Sequence, residues 1–377
     1  MCPLLYDGCK HFGSASEYRT SNACPERIVV NHEDPKYHAW AARRKERLDG
    51  LKADLLFAKI LEKDRGALAN AITLIESTKL EHRKEANQLI NLCIPHSGKS
   101  WRIGITGVPG VGKSTFIEAI GEKLVHEGHR IAVMAIDPSS SVSGGSILGD
   151  KTRMEKLATM DEVFIRPTAS GKTLGGVAQH TRETVILCEA AGYDVILIET
   201  VGVGQSETVV HSMVDFFMLL MLSGAGDELQ GIKRGIMEMA DGILITKADE
   251  GNENSAQRAK RTYEGALHLF QAKESGWVPK VAPISSLQRK DLDLPLQWWE
   301  NYFNQVRASG YLNSKRKNQD LQFFEESFQY QMAQFIAEDP HIRNKYAELQ
   351  QRITQGTSSS YEAANELLQL ILHHGKL

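Results

Sequence analysis

The sequence has little of what would mark a secreted, membrane-spanning or nucleic-acid-binding chain. Its 377 residues hold five cysteines, Cys2, Cys9, Cys24, Cys93 and Cys188, an odd and irregularly spaced set that makes no disulfide framework. A reducing compartment is the expectation. Basic excess is missing too: 44 Lys and Arg stand against 47 Asp and Glu, a formal net charge of −3, which argues against nucleic acid as a partner. The longest apolar run, MVDFFMLLML at 213–222, is broken by Asp215, too short for a bilayer, and reads as a buried strand. Residues 1–50 lack the apolar core of a signal peptide, and their acids Glu17, Glu26, Glu33 and Asp34 disfavour a transit peptide. The cytoplasm is therefore expected, with no membrane partner. Cys2, Cys9 and His11 lack the close spacing of metal-ligand pairs, so residues 1–50 read as an extension of unknown role. No internal repeat is present.

What is there begins with ordinary globular composition, 42% hydrophobic and 24% charged. Residues 51–97 place apolar side chains three or four apart in LKADLLFAKILEK, ALANAITLIEST and HRKEANQLINLC, a helical region. From 101 the pattern changes to short, nearly continuous apolar runs: WRIGIT, RIAVMAID, DEVFIRP, YDVILIET, DFFMLLML, DGILITKAD and VPKVAPIS. Helical stretches such as STFIEAIGEKLVHEG and TRETVILCEAAG separate many of them. Unbroken apolar strands alternating with helices predict an α/β fold, a mostly parallel sheet covered on both faces. That domain is placed at 98–313. Beyond it, 314–377 reads as a helical arm, with amphipathic helices in NQDLQFFEESFQYQMAQFIAED and YEAANELLQLILHH, the second opened by the capping box Ser359-x-x-Glu362.

The segment Gly107-Val108-Pro109-Gly110-Val111-Gly112-Lys113-Ser114 matches the P-loop, and Thr115 follows at the start of a helix. The glycines let backbone N–H groups converge on phosphate. Lys113 reaches the β- and γ-oxygens, and the Ser114 hydroxyl can ligate Mg²⁺. Gly98-Lys99-Ser100 and Gly171-Lys172-Thr173 spell the same ending, but Cys93 and Arg166 stand where the first glycine is needed. Asp137 ends one apolar strand and Glu199 another, at the carboxyl edge that faces the ligand crevice of a parallel sheet. Between them a Gly/Ser-rich loop carries Asp150 and Arg153 and reads as a nucleotide-sensing switch. Thr246-Lys247-Ala248-Asp249, also at a strand end, is similar to the guanine-reading element of GTPases. An Asp249 carboxylate accepts from guanine N1–H and N2–H₂ together, a donor pair that adenine lacks. Ser285, Ser286 and Leu287, after a further strand, stand where a base-supporting loop is expected. The expected ligand is GTP or GDP with Mg²⁺.

GVPGVGKSTFIEAIG, AIDPSSS, GGSILGDKTRM, TRETVILCEAAGYDVILIETVGVGQSE and SGAGDELQGIKRGIMEMADG together resemble the MeaB family, GTPases associated with methylmalonyl-CoA mutase. The family has also been filed as ArgK or LAO/AO transport ATPases, and the resemblance covers roughly residues 55–375. It implies a P-loop GTPase domain of the SIMIBI class between an N-terminal helical region and a C-terminal arm that makes a homodimer. It implies a chaperone that couples GTP binding and hydrolysis to loading and protecting an adenosylcobalamin-dependent acyl-CoA mutase. By position, Lys113 and Ser114 would contact phosphate and Mg²⁺, and Asp137, Asp150 and Glu199 would form the acidic shell, Lys113, Asp150 and Glu199 being the catalytic set. Gly202 falls at a γ-phosphate sensor, and Asp227 and Lys233 in a switch facing the mutase. The chain departs from the family at Thr246, usually Asn, and at QRKDLD, 288–293, usually a glycine-containing segment. Residues 1–50 have no counterpart in the resemblance. No DxHxxG segment occurs, so the cobalamin is expected on the partner and not on this chain. The alternatives are a nickel-insertion GTPase, a P-loop kinase, or a GTP-binding interaction module with negligible turnover.

Overall fold

The seven apolar runs become seven strands: β1 (Trp101–Gly107), β2 (Ile131–Ile136), β3 (Val163–Thr168), β4 (Val195–Thr200), β5 (Phe216–Leu222), β6 (Gly242–Thr246) and β7 (Lys280–Pro283). They form one all-parallel sheet in the order β3-β2-β4-β1-β5-β6-β7. The computed structural model describes residues 52–77, 79–136, 154–168, 174–200, 206–223, 234–249 and 251–374. Every residue of β4 and β6 is buried, as the unbroken apolar runs require of strands covered on both faces.

Alternation sorts the side chains between two faces. Ile103, Ile105, Val133 and Leu197 meet α4 (Lys113–His126) through Phe116, Ile117 and Ile120, and α10 (Asp293–Ala308) through Trp299, Tyr302 and Phe303. Ala132, Met134, Ile196 and Ile198 point the other way. There they meet α1 (Ala53–Leu61), α2 (Arg65–Ile75), α3 (Leu80–Cys93) and α6 (Leu174–Ala190). Full burial of Phe116, Ile117 and Ile120 contributes about 1.5–3 kcal/mol each. The position of α4 is thus set by packing more than by helix propensity.

The remaining helices are α5 (Glu155–Ala158), α7 (Ser206–His211), α8 (Arg234–Met239), α9 (Glu253–Leu267), α11 (Tyr311–Glu338), α12 (Pro340–Thr354) and α13 (Ser360–His374). Helix α12 was not anticipated, although its start follows known rules. Asp339 accepts from the N–H groups of His341 (2.8 Å) and Ile342 (3.1 Å), and Pro340 occupies the first turn. The capping box at α13 forms by half. The Glu362 N–H donates to Ser359 Oγ at 3.1 Å, but the Glu362 carboxylate faces the Ser358 hydroxyl at 3.3 Å.

At the amino ends of the central strands, a buried ionic cluster fastens α11 to the sheet. Asp215, fully buried just before β5, accepts from Arg316 Nε (2.9 Å) and Nη2 (2.5 Å) and from the Arg102 N–H (3.0 Å). Arg316 also donates to the carbonyls of Gly98 (2.5 Å) and Ser100 (2.7 Å). Burial pushes the Asp215 carboxyl upward, but the Arg316 guanidinium, with Arg102 and Lys315, overcomes it and holds the group below the ordinary aspartate value. Glu189 likewise accepts from Arg102, from the Ser100 hydroxyl (2.5 Å) and from the Gly98 N–H (2.7 Å). The Gly98-Lys99-Ser100 imitation of a P-loop is consumed by this cluster, at the edge of the sheet away from the real one. Among the described residues no helix is long and apolar enough to cross a membrane.

Candidate functional site

Strand β1 delivers the Gly-rich loop to the carboxyl edge of the sheet, where β4 and β5 flank it. Gly107 ends the strand at φ 152°, and a Cβ there would lie 2.5 Å from the Leu220 carbonyl of β5. No other residue fits so close a backbone approach. Gly110 (φ 78°) and Gly112 (φ 99°) stand in open space and are required by conformation alone. Val111 is fully buried and pins the loop to the core beside Phe116.

Lys113 opens α4 and is only 7% exposed. Its ammonium curls back over the loop, donating to the carbonyls of Gly107 (2.8 Å) and Val108 (3.3 Å). An anion cradled by the loop N–H groups would meet this cation and the positive end of a 14-residue helix together. Ser114 and Thr115, half-buried, lie in the same first turn.

Glu199 sits on β4 between Ile105 of β1 and Ala135 of β2 and is 9% exposed. Alternation puts it with Val195 and Leu197 on the α4 face. Thr200 points oppositely and shares a 2.8 Å hydrogen bond with the Thr106 hydroxyl. The structure thus brings Lys113, Ser114 and Glu199 to one edge of the sheet and one face. Asp137, Asp150, Gly202, Asp227 and Lys233, with the Asp150 loop, lie outside the described residues. So do Cys2, Cys9, His11 and the Gly171-Lys172-Thr173 decoy. Among the described residues no group of three or more His, Cys, Asp or Glu is arranged for a metal. The Ser114 hydroxyl and Glu199 carboxylate are hard oxygen donors, a set that suits Mg²⁺ when phosphate and water supply the rest.

Beside the loop, a cavity is lined by Val111, Gly112 and Thr115 on one side and by Thr246, Lys247 and Asp249 on the other. Ser286 and Leu287 complete it. The hydroxyl of Thr246, 2% exposed, donates to the Val111 carbonyl at 2.6 Å and approaches the Met221 carbonyl at 3.2 Å. Threonine here ties the P-loop to β6, so the departure from asparagine keeps a tether between the two motifs. Lys247 is left-handed (φ 56°), and Asn252 Nδ2 donates to its carbonyl (2.7 Å) and to Ser223 Oγ (2.6 Å).

The loop after β7 contributes more than its loose pattern indicated. Ser285, fully buried, donates its hydroxyl to Asp249 Oδ1 and accepts at Oγ from the Gln288 N–H (3.1 Å). The Ala248 N–H bonds the Ile284 carbonyl at 3.0 Å, extending the β6–β7 pairing into the motif. The Ser286 hydroxyl is buried without a hydrogen-bond partner among the described residues, a polar atom left for a ligand. Leu287, 75% exposed, and the Lys247 stem offer apolar surface to a flat ring. In the departing 288–293 segment, Arg289 (φ 55°) and Asp291 (φ 63°) adopt the left-handed backbone that glycine usually supplies. That costs about 1–2 kcal/mol per residue, and the Arg289 guanidinium is anchored on the Glu122 carboxylate of α4. Sequence reasoning missed Asn252 and Ser223. Asn252, three residues past Asp249 at the mouth of α9, was a readable signal; Ser223 was not.

The sequence model for "Methylmalonyl Co-A mutase-associated GTPase MeaB" matches residues 68–341. A Mycobacterium tuberculosis protein described as a "Probable GTPase" is 45% identical over 307 residues, covering 81% of this chain and 91% of the relative. The mitochondrial methylmalonic aciduria type A homolog of Mus musculus is 39% identical over 361 residues, 92% of this chain and 87% of the mouse protein. That share is larger than residues 51–377 supply alone. Part of the N-terminal extension therefore aligns with the mouse protein, against the expectation that it has no counterpart. A crystal structure of an LAO/AO transport system kinase superposes with a TM-score of 0.67 at 34% identity, covering 85% of this chain and 97% of that one.

Proposed function

Because the chain belongs to the MeaB family of methylmalonyl Co-A mutase-associated GTPases, and is a P-loop GTPase linked to that enzyme, we propose that it is the chaperone of an adenosylcobalamin-dependent acyl-CoA mutase. In this reading GTP binding and hydrolysis drive cofactor loading and protection, and the cobalamin stays on the mutase. The observation that carries the nucleotide half is the Asp249 carboxylate, fixed on one oxygen by Ser285 at the wall of a cavity continuous with the P-loop. A carboxylate held this way accepts the two guanine donors without having to find its orientation.

Each residue then has a role. The loop N–H groups of 107–114 and Lys113 gather charge on the β- and γ-oxygens, which lowers the barrier to phosphoryl transfer. Ser114 and Glu199, with Asp137 and Asp150, would hold Mg²⁺, which neutralises phosphate charge when bound. Glu199, or Asp150, orients the attacking water. Gly202 reports the γ-phosphate, and Asp227 and Lys233 face the mutase. Leu321, Phe324 and Phe328, three and four residues apart on α11 and 57–67% exposed, with exposed Tyr361, Leu368 and Leu372 on α13, supply the homodimer surface. The buried, unpaired thiols Cys93 and Cys188 accord with the cytoplasm.

The test is phosphate release from GTP and ATP across a titration of purified methylmalonyl-CoA mutase, with calorimetry for each nucleotide. GTP and GDP are expected to bind at least about a hundredfold tighter than ATP, and the mutase to raise slow basal turnover. Equal GTP and ATP affinity would remove the nucleotide assignment. A mutase that neither binds nor changes the rate would remove the chaperone assignment alone.

A further inference from the structure

At the amino ends of β5 to β7, on the opposite side of the sheet from the P-loop, a groove of about 500 Å³ opens between α7, the end of α8 and the first turns of α11. Its volume lies in the range of small-molecule sites, about 300–1,000 Å³. His211, Ser212, Tyr311, Ser314 and Asn318 line it with hydrogen-bonding groups, and among the described residues Glu274 is the one carboxylate on its wall.

Two features point to an occupant. The first is Lys315. Among the described residues its ammonium has one hydrogen-bond acceptor, the Asp215 carbonyl at 2.7 Å, which also accepts from the Tyr302 hydroxyl at 2.8 Å. Three donors on one shared acceptor leave two for the groove. The nearby acids are committed elsewhere, Asp215 to Arg316 and Asp241 to Lys273 at 3.1 Å. Burial pulls the Lys315 ammonium below the ordinary lysine value, against the pull of Asp241 and Asp215. The second is Gln319, 7% exposed. Its Nε2 donates to the Val214 carbonyl at 2.9 Å, but its Oε1 is buried with no hydrogen-bond partner among the described residues. Burial and the Lys315 charge push His211 down to about 4, so at neutral pH its imidazole adds an uncharged hydrogen-bonding group beside that ammonium.

A lysine with two uncommitted donors and a glutamine whose side-chain oxygen lacks a partner among the described residues, both residues on the wall of one groove, ask for a ligand carrying both a negative oxyanion and a hydroxyl donor. We propose that this groove is a second small-molecule site, separate from the nucleotide site, for a hydroxylated oxyanion: a hydroxycarboxylate or a sugar phosphate. The charged end sits against Lys315 and the hydroxyl donates to Gln319.

The experiment is calorimetry on the full chain saturated with GDP, which keeps the probes out of the P-loop. Citrate and glycerol 3-phosphate are titrated at constant pH and ionic strength. One site per chain is expected for at least one probe, and the preferred probe identifies the carboxylate or the phosphate class. Lys315→Met should weaken binding about tenfold or more, the worth of a charge-assisted hydrogen bond. It should leave GDP affinity unchanged, because the Asp215 carbonyl keeps Tyr302 and the methionine chain fills the same volume. Asn318→Asp, on the exposed wall, should weaken binding comparably by adding a like charge, and it decides the matter if Lys315→Met is unstable. Absence of binding by both probes, or binding unchanged in both variants, overturns the proposal.

Discussion

Replacing Thr246 with valine isolates the tether between the P-loop and β6. Valine has the same shape and suits a strand, so packing and β-propensity change little. What disappears is the hydroxyl that donates to the Val111 carbonyl at 2.6 Å and lies 3.2 Å from the Met221 carbonyl. At 2% exposure, water cannot replace it readily. A buried acceptor left without its donor costs about 1–3 kcal/mol, offset in part by the extra buried methyl at about 0.8 kcal/mol. A net loss of about 0.2–2 kcal/mol follows, a factor of up to about 30 in an equilibrium constant. Because Val111 lies inside the loop, GDP affinity should fall within that range, while the ratio of GTP to ATP affinity holds, Asp249 being untouched. Thr246→Ser should restore affinity, since it keeps the donor. Calorimetry with GDP, paired with urea unfolding, reads both quantities. If Thr246→Val lowers the urea midpoint but binds GDP like the wild type, the tether is only structural and the reasoning fails.

Asp249→Asn should shift preference from guanine toward xanthine nucleotides, whose O2 acceptor complements an amide donor; competition binding with both nucleotides checks it. Lys113→Ala should abolish turnover, and Glu199→Ala should cut single-turnover hydrolysis more than it cuts GTP affinity; an unchanged single-turnover rate in Glu199→Ala would refute its role. Asp215→Asn strands Arg316 in the core and should cost about 3–5 kcal/mol at neutral pH by denaturant unfolding. Since Arg316 holds the Asp215 carboxyl below its ordinary value near 3.9, its stabilisation is present above about pH 4 and lost as pH falls through the lower folded value. The variant should lack that acid-dependent part. Truncation beyond Gln322 should give a monomer that still binds GDP, whereas a cut at 315 would remove Arg316 and Gln319 from the base of the sheet. Sedimentation of the wild type as a monomer at micromolar concentration would contradict the proposed dimer.

Local pattern carried most of the fold. Each apolar run from WRIGIT to VPKVAPIS became a strand because a strand buried on both faces needs nothing more distant than its own composition. The P-loop was legible because its glycines answer a backbone demand made within eight residues: φ 78° at Gly110, φ 99° at Gly112 and no room for a Cβ at Gly107. Thr246-Lys247-Ala248-Asp249 was legible for the same reason, a short motif at a strand end. Even α12, which was missed, carried its signal locally in Asp339-Pro340.

The tertiary structure decided which polar groups share a site. Ser285 meets Asp249 across 36 residues, Thr246 meets the P-loop across 135, and Arg316 reaches Asp215 across 101. Arg289 and Asp291 hold a left-handed turn where sequence reasoning looked for glycine, with Arg289 anchored on Glu122 from a different helix. None of these pairings leaves a periodic trace. A hydrogen bond needs only two atoms about 3 Å apart in the right direction, and chain segments reach that distance through strand order and helix packing. Hydrophobic burial is written residue by residue into the sequence. The meeting of Asp249 with Ser285, or of Lys315 with the groove, exists only once the sheet and α11 have placed them.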